Sequence, residues 1–510
     1  MVLIVNGNDY AYELEKLTSC FFQEEAVKVI IDGKLKDGEE PVPEILNDLP
    51  SVEVTTETIG EFTKVSAAYT SESGNIISES EENRLIPCSL ANSEDSIELH
   101  CAQLLYKVLC KATGITPGWG ILTGIRPSKL LIRLMEEKGK EEGIEYFKNS
   151  FYVTEKKTKL ALDVAKTEES IIGTSTPDAF SLYISIPFCP SRCSYCSFVS
   201  SAVDTPTAKK AFVPYFENLL KEIKYTGEIA KQSGIKMFSA YVGGGTPSTL
   251  SAEQIERLLL TVRDSFDMSF CKEFTFEAGR PDTITKDKLR ACRDGAVDRI
   301  SINPQTMSNE VLKLVGRRHT AELCVDAFNT ATDIGFDNIN MDLIAGLPGD
   351  TLDGFKDSVN KVIALGPSNI TVHALAYKRS SDLDYSSGLF SFARDISSMV
   401  DYANDALYSA GYIPYYMYRQ AKSVGNLENV GWCKPGYESK YNIFMMEECH
   451  TILACGAGAV TKLKEPNGSN ITRIFNFKYP FEYNDKFEEQ ISRKKAVLDF
   501  YGKSSLPKGN

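Results

Sequence analysis

The sequence predicts an α/β protein built on a partial, six-stranded β/α barrel, with an N-terminal α+β domain before it and a C-terminal mixed domain after it. Three observations predict this. Short β-type runs recur at Leu182–Ile186, Phe238–Val242, Glu273–Glu277, Arg299–Ile302, Ile339–Ile344 and Ile370–Leu375. Helical patterns lie between them: Phe212, Phe216, Leu219, Leu220 and Ile223 fall on one face, and Ser251 with Gln254 forms a capping box that opens the next helix. The rhythm starts after the polar run Gly173–Asp178 and stops near residue 380. Strands alternating with helices imply a parallel sheet with right-handed crossovers. Six such units make about three quarters of an eight-stranded barrel, or a doubly wound sheet of the same length.

Residues 1–172 are expected to form the α+β domain: Val2–Val5 and Val27–Ile31 read as strands, and Glu79–Arg84 as solvated surface. The Gly- and Pro-rich segment Gly114–Leu130 reads as a structured loop, followed by helical sequence over Glu137–Lys166. Residues 173–380 are the barrel. Residues 381–510 are expected to form a substrate-covering domain, with a helix over Phe392–Ala410, an aromatic stretch over Gly411–Gln420, and close backbone packing at Gly456-Ala457-Gly458.

Composition bounds the function. The chain has 510 residues, 25% charged and 43% apolar, which excludes wholesale disorder. A net charge of −13 argues against a nucleic-acid partner, and an anionic ligand needs a local basic pocket. The five-residue apolar start is too short for a signal peptide, and no run approaches the ~18 apolar residues of a membrane span, so the expected compartment is the cytoplasm. In that compartment the 13 cysteines are thiols or ligands rather than disulfides. With four histidines, a His-rich metal site is not expected.

The chemistry concentrates after the first barrel strand. Cys189, Cys193 and Cys196 share one short loop at ligand spacing. Thiolates suit zinc or an iron–sulfur cluster, and three of them leave one coordination position open. Other unusual residues fall at strand ends: Gly243, Gly244, Gly245 and Thr246 after the second strand, Glu277 at the end of the third, Gln305 past the fourth, Asp342 in the fifth and Ala376 after the sixth. Ligands bind at that rim in both barrels and doubly wound sheets. Glycines let backbone approach a ligand, the carboxylates and amide suit ammonium and hydroxyl donors, and Arg317 can fork onto a ligand carboxylate.

On these residues the chain resembles the radical S-adenosylmethionine superfamily, and within it the oxygen-independent coproporphyrinogen III oxidases (dehydrogenases). The likeness runs through Tyr183–Cys189, Gly243–Pro247, Glu277, Ser301–Thr306, Gly316–His319 and Asp342–Pro348. GWGILTGIRPSKL and YRQAKSVGNLENVGW extend it to the HemZ-type members. The resemblance implies a 4Fe–4S cluster on Cys189, Cys193 and Cys196, whose open iron holds the amino and carboxylate groups of S-adenosylmethionine. It places Tyr183, Gly244, Thr246, Glu277, Gln305, Arg317, Asp342 and Ala376 at cofactor contacts, and Tyr195 with Gln305 at a second S-adenosylmethionine where two are bound.

It further implies a radical oxidoreductase of porphyrin biosynthesis that converts coproporphyrinogen III to protoporphyrinogen IX, fed by an electron donor such as flavodoxin or ferredoxin. The other readings are a heme-binding chaperone of the same family and a radical enzyme acting on heme, as in anaerobic ring opening. Two positions depart from the family pattern. Ser185 stands where the Y-x-H-I-P-F/W-C motif has His, and Phe198 stands where decarboxylating members have a further Cys. Phe198 follows the chaperone branch, yet that branch's H-N-x-x-Y-W element has as its nearest counterpart Gly425–Trp432, which lacks His. A tetrapyrrole with carboxylates needs apolar walls and basic anchors, and Arg379 and Arg419, each beside tyrosines, are the expected anchors.

Overall fold

The computed structural model describes residues 1–22, 26–36, 49–124, 126–196, 198, 200–376, 393–420, 423–466 and 468–503. The chain divides into two compact units, one of residues 1–165 with 417–428, the other of 166–416 with 429–510.

The first unit is α+β, as its sequence predicts. Its six-stranded sheet comprises β1 (Val2–Asn6), β2 (Lys28–Ile31), β3 (Lys34–Leu35), β4 (Ser51–Ile59), β5 (Phe62–Thr70) and β6 (Ile76–Asn83), in the order β3-β2-β1-β4-β5-β6. β1 runs parallel to β2 and β4, and the other pairs are antiparallel. β6 is an edge strand carrying Glu79, Glu81 and Glu82, charges that discourage pairing with another chain. Helix Ile97–Thr113 is capped by Ser96 and closed by left-handed Gly114, and it buries Leu99, Cys101, Leu104, Leu105, Val108 and Leu109.

The second unit holds the barrel strands: β7 (Ala179–Ile186), the short pair β8 (Phe188–Cys189) and β9 (Ser201–Ala202), then β10 (Lys236–Gly244), β11 (Glu273–Gly279), β12 (Arg299–Ile302), β13 (Asn338–Ala345) and β14 (Asn369–Ala374). β7 and β10 through β14 lie side by side in chain order, each parallel to the next. Their near-continuous burial is what a parallel sheet covered by helices demands. The helices begin where the sequence supplies caps. Thr205, Ser251, Thr285, Thr320 and Thr351 each accept a backbone N–H with the side chain, and Gln254 completes the capping box. Left-handed Gly234, Gly335 and Gly366 end three of them.

One expectation is corrected here. Residues 381–510 do not form a separate unit. β15 (Ile413–Arg419) and β16 (Glu428–Cys433) extend the sheet beyond β14, and β17 (Thr451–Cys455) pairs parallel with β7 on the other side, followed by β18 (Val460–Lys464) and β19 (Ile471–Phe475). A parallel sheet leaves backbone donors and acceptors open at both edges, and these strands satisfy them. The Gly456 turn after β17 sits close to β7: a Cβ there would lie 2.6 Å from the Ser185 carbonyl oxygen. Among the described residues no helix is long and apolar enough to cross a membrane.

Candidate active site

The chain leaves β7 through Pro187 and turns into the three-cysteine loop. Gly245 N–H donates to the Ile186 carbonyl at 2.9 Å and Thr246 N–H to the Phe188 carbonyl at 2.7 Å, which clamps the glycine turn after β10 onto the start of the loop. Cys196 N–H donates to the Cys193 carbonyl at 3.1 Å, and Ser194 N–H to Val315 at 3.2 Å. All three cysteines are free thiols, with Cys189 and Cys193 buried. Burial pushes the Cys196 thiol up to about 11, and the neighbouring thiols add to the shift. Burial raises Cys189 as well. Thiols held protonated in this way are ionised when a metal centre displaces their protons.

The strand ends around the loop carry the polar residues that the sequence predicts. Glu277 lies beside the glycine turn, and a Cβ on Gly243 would come within 2.9 Å of its Oε2. Burial, and then the Asp342 charge, raise the Glu277 carboxyl to about 8, against the pull of Arg299 and the Gly244 N–H. Burial opposes the charge on Asp342, but His373, Asn340 and Thr371 outweigh it and hold its carboxyl below the ordinary value. Gln305 sits in left-handed backbone, φ 70°, fixed by its N–H to the Asp342 carbonyl at 2.9 Å and by Ile344 N–H to its own carbonyl at 2.9 Å. A non-glycine residue there is strained. Its side-chain Oε1 is buried without a hydrogen-bond partner among the described residues. Arg317 is buried, donating to the Tyr195 phenol oxygen at 3.2 Å and to the Asn303 carbonyl at 2.7 Å. Tyr195 packs on Val311, Val315, Ile344, Leu347 and Leu375. Tyr183 stacks with Tyr241 and Tyr441, and Ala376 follows β14.

Some residues were not foreseen. Asn340 donates to Asp342 at 2.7 Å and to Ser301 at 2.9 Å, and Ser301 donates to Asn303 at 2.7 Å. This polar chain runs beneath the rim from Asp342 to the residue that holds Arg317. His373 Nε2 stands 3.9 Å from Asp342 Oδ2. Arg280 reaches the cysteine loop itself, and its place just past β11 was the available signal.

The expected substrate anchors fare differently. Arg379 lies outside the described residues. Arg419 belongs to the first unit and is 2% exposed; its Nε donates to the Gly124 carbonyl at 2.8 Å and its Nη1 to Leu122 at 2.9 Å. Its donors are spent inside the fold, so it is corrected from an open anchor to a core residue. Its basic and aromatic neighbours mimic a pocket wall in sequence. In the same unit Glu428 accepts from Trp119 at 2.8 Å and from Lys157 at 2.6 Å.

Residues 183–362 match the Radical SAM superfamily. Over 393 residues, 76% of this chain and 78% of the relative, the sequence is 39% identical to the oxygen-independent coproporphyrinogen-III oxidase-like protein HemZ of Bacillus subtilis. The chain belongs to the radical SAM superfamily, among the HemZ-like proteins. It is also 31% identical to the heme chaperone HemW of Lactococcus lactis over 62% of this chain and 79% of that protein. The solved structure of coproporphyrinogen III oxidase (HemN) from Escherichia coli shares the fold, with a TM-score of 0.50 and 23% identity over 64% of this chain and 73% of that one.

Radical SAM proteins use a 4Fe–4S cluster and S-adenosylmethionine. The residues of this HemZ-like chain fit both groups. Three thiols and no fourth ligand in the loop suit a cluster with an open iron. The Gly243–Gly245 cradle, the unpartnered Gln305 oxygen and the two carboxylates suit a ligand rich in amino and hydroxyl donors.

Proposed function

We propose that this radical SAM protein is an oxidoreductase acting on a carboxylate-bearing tetrapyrrole, oxidatively decarboxylating coproporphyrinogen III propionates to the vinyl groups of protoporphyrinogen IX. The observation that supports it is the gathering of Glu277, Gln305 and Asp342 at the strand ends, with Arg317 bonded to Tyr195 of the three-thiol loop, in a chain 39% identical to an oxidase-like relative. In this reading Cys189, Cys193 and Cys196 hold the cluster, and Tyr183, Gly243–Thr246, Glu277, Gln305, Arg317, Asp342 and Ala376 hold S-adenosylmethionine. When bound, the two groups supply a carbon radical that abstracts a hydrogen atom.

The chain's own residues do the rest. Glu277, largely protonated at neutral pH, offers its carbonyl oxygen to a ligand N–H or O–H, and releases its proton to solvent where a ligand cation favours the carboxylate. Asp342 stays charged and keeps a fixed acceptor on the rim. Arg317 braces the loop through Tyr195, which the loop itself carries, and the apolar cluster behind Tyr195 excludes water. Each vinyl group requires loss of one hydrogen atom, one carbon dioxide and one electron, the last to a one-electron acceptor.

A heme-carrying role is the second reading. The observation that favours it is Phe198, 69% exposed just past Cys196, together with the likeness to HemW. The deciding experiment is an anaerobic assay of the reconstituted protein with coproporphyrinogen III, read by mass spectrometry. Vinyl products that rise with 5′-deoxyadenosine support decarboxylation. Tight heme binding without vinyl product supports the carrier and removes the oxidase.

A further inference from the structure

β11 ends at left-handed Gly279, and the next side chain, Arg280, is 3% exposed. Its guanidinium is divided between two tasks. The Nε and Nη2 edge is taken by Asp282, at 3.0 and 2.9 Å, in a bidentate pair. That leaves Nη1, which donates to the Ser191 carbonyl at 3.1 Å, the Ser191 hydroxyl at 2.9 Å and the Cys193 sulfur at 3.7 Å. His319 is buried behind the pair, its Nδ1 3.8 Å from Asp282 Oδ1.

We propose that Arg280, oriented by Asp282, is a positioning residue that sets the reduction potential of the cluster by donating an N–H to the Cys193 sulfur. This rests on the reading that Cys189, Cys193 and Cys196 hold the cluster.

Hydrogen bonds to cluster sulfurs are one of the levers by which a protein tunes iron–sulfur potentials. Reduction adds negative charge to the cluster and its sulfurs, so a donor held there favours the reduced state. Only arginine does both jobs at once, because its planar fork offers one edge to a carboxylate and a separate N–H to the loop, whereas a lysine ammonium has no such fixed division. The buried position keeps water from replacing the bond, and the Ser191 contacts hold the loop backbone at the distance the sulfur contact needs. Asp282 fixes the angle of the fork. His319, held neutral by burial, backs the carboxylate without adding charge.

The test is a reductive titration of the reconstituted full-length protein with redox mediators, followed by electron paramagnetic resonance. Iron content is measured first, and a wild-type chain that takes up no cluster overturns the cysteine reading itself. In iron-replete Arg280→Gln the ratio of reduced to oxidised cluster at a fixed solution potential should fall about tenfold, the weight of one charged hydrogen bond. Arg280→Lys should fall between Gln and wild type. Arg318→Gln, which removes an exposed charge paired with Asp204, should match wild type. An unchanged ratio in Arg280→Gln, or an equal shift in Arg318→Gln, overturns the proposal. If Arg280→Gln fails to load iron, wild type labelled with ¹⁵N-arginine decides. A ¹⁵N coupling to the reduced cluster in pulsed spectra supports the Arg280 contact, and its absence overturns it.

Discussion

The Thr246 hydroxyl donates to the sulfur of Cys189, with Oγ1 and Sγ 3.4 Å apart. This bond ties the turn after β10 to the first thiol of the loop, so the glycine cradle and the cysteines form one piece of structure. Disturbing either one should be felt at the other.

The three loop cysteines should behave as one ligand set. Cys189→Ala, Cys193→Ala and Cys196→Ala are each expected to lose the brown chromophore after anaerobic reconstitution, while Cys271→Ala keeps it. Iron, sulfide and the visible spectrum are the measurements. Full loading of the triple variant is the contrary result.

Gly245→Ala should disrupt the cradle. A Cβ there would stand 2.6 Å from the Phe188 carbonyl oxygen, 2.9 Å from its nitrogen and 3.0 Å from Cys189 Sγ. Backbone cannot yield cheaply, so a loss of about 1–3 kcal/mol is expected, with reduced iron uptake. Thermal unfolding and iron content check both. Gly124→Ala, where nothing lies within 4 Å of the added carbon, is expected to stay within about 0.5 kcal/mol of wild type.

The raised Glu277 carboxyl makes a pH prediction. Its folded value of about 8 lies above the ordinary 4.5, so the folded chain keeps this proton through the neutral range. Its contribution to stability is therefore complete below about pH 4.5 and is lost as the pH climbs to about 8. A ligand N–H or cation binds more strongly to the ionised carboxylate than to the protonated carboxyl, so binding favours release of the Glu277 proton to solvent. S-adenosylmethionine affinity is expected to strengthen from pH 6 to pH 8, by up to about tenfold per unit, and Glu277→Gln should flatten that dependence. Equilibrium binding at several pH values measures it; parallel profiles for the two proteins would contradict it.

In the first unit, Lys157→Met should leave the Glu428 carboxylate buried without its lysine. Both side chains are almost fully buried in a 2.6 Å ion pair, and breaking such a pair typically costs about 3–5 kcal/mol. The double variant Lys157→Met with Glu428→Gln is expected to recover part of the loss in urea unfolding. A double variant as unstable as the single one would show that the charge is not the cause.

The barrel was legible because its strands are local signals. Each is a short apolar run bounded by a capped helix, and β12 falls at Arg299–Ile302 as the sequence predicts. The outer strands were not legible. β17 pairs with β7, placing Thr451 opposite Phe180, and nothing near residue 451 announces a partner so far back in the chain. The same distinction holds in the site. The cysteines, Gly243–Gly245 and Glu277 stand out by type and by place after a strand. Arg280 also follows a strand, but neither its type nor its place names its acceptor, which lies in a loop almost ninety residues earlier. Arg419 misled for the converse reason: its basic and aromatic neighbourhood describes a pocket wall and a buried strand end equally well.

The first unit contains residues 417–428, and this has a consequence for the order of events during synthesis. About 260 residues separate its last contiguous segment from Glu428, the partner of Trp119 and Lys157. At a ribosomal pace of roughly 5–20 residues per second, that partner emerges some 13–50 s after the rest of the unit has been made. Until then the nascent unit lacks the carboxylate that accepts from Lys157 and the Trp119 indole. A fragment cut at residue 165 would be held in that waiting state permanently, so the N-terminal unit is completed only once most of the barrel has already been translated.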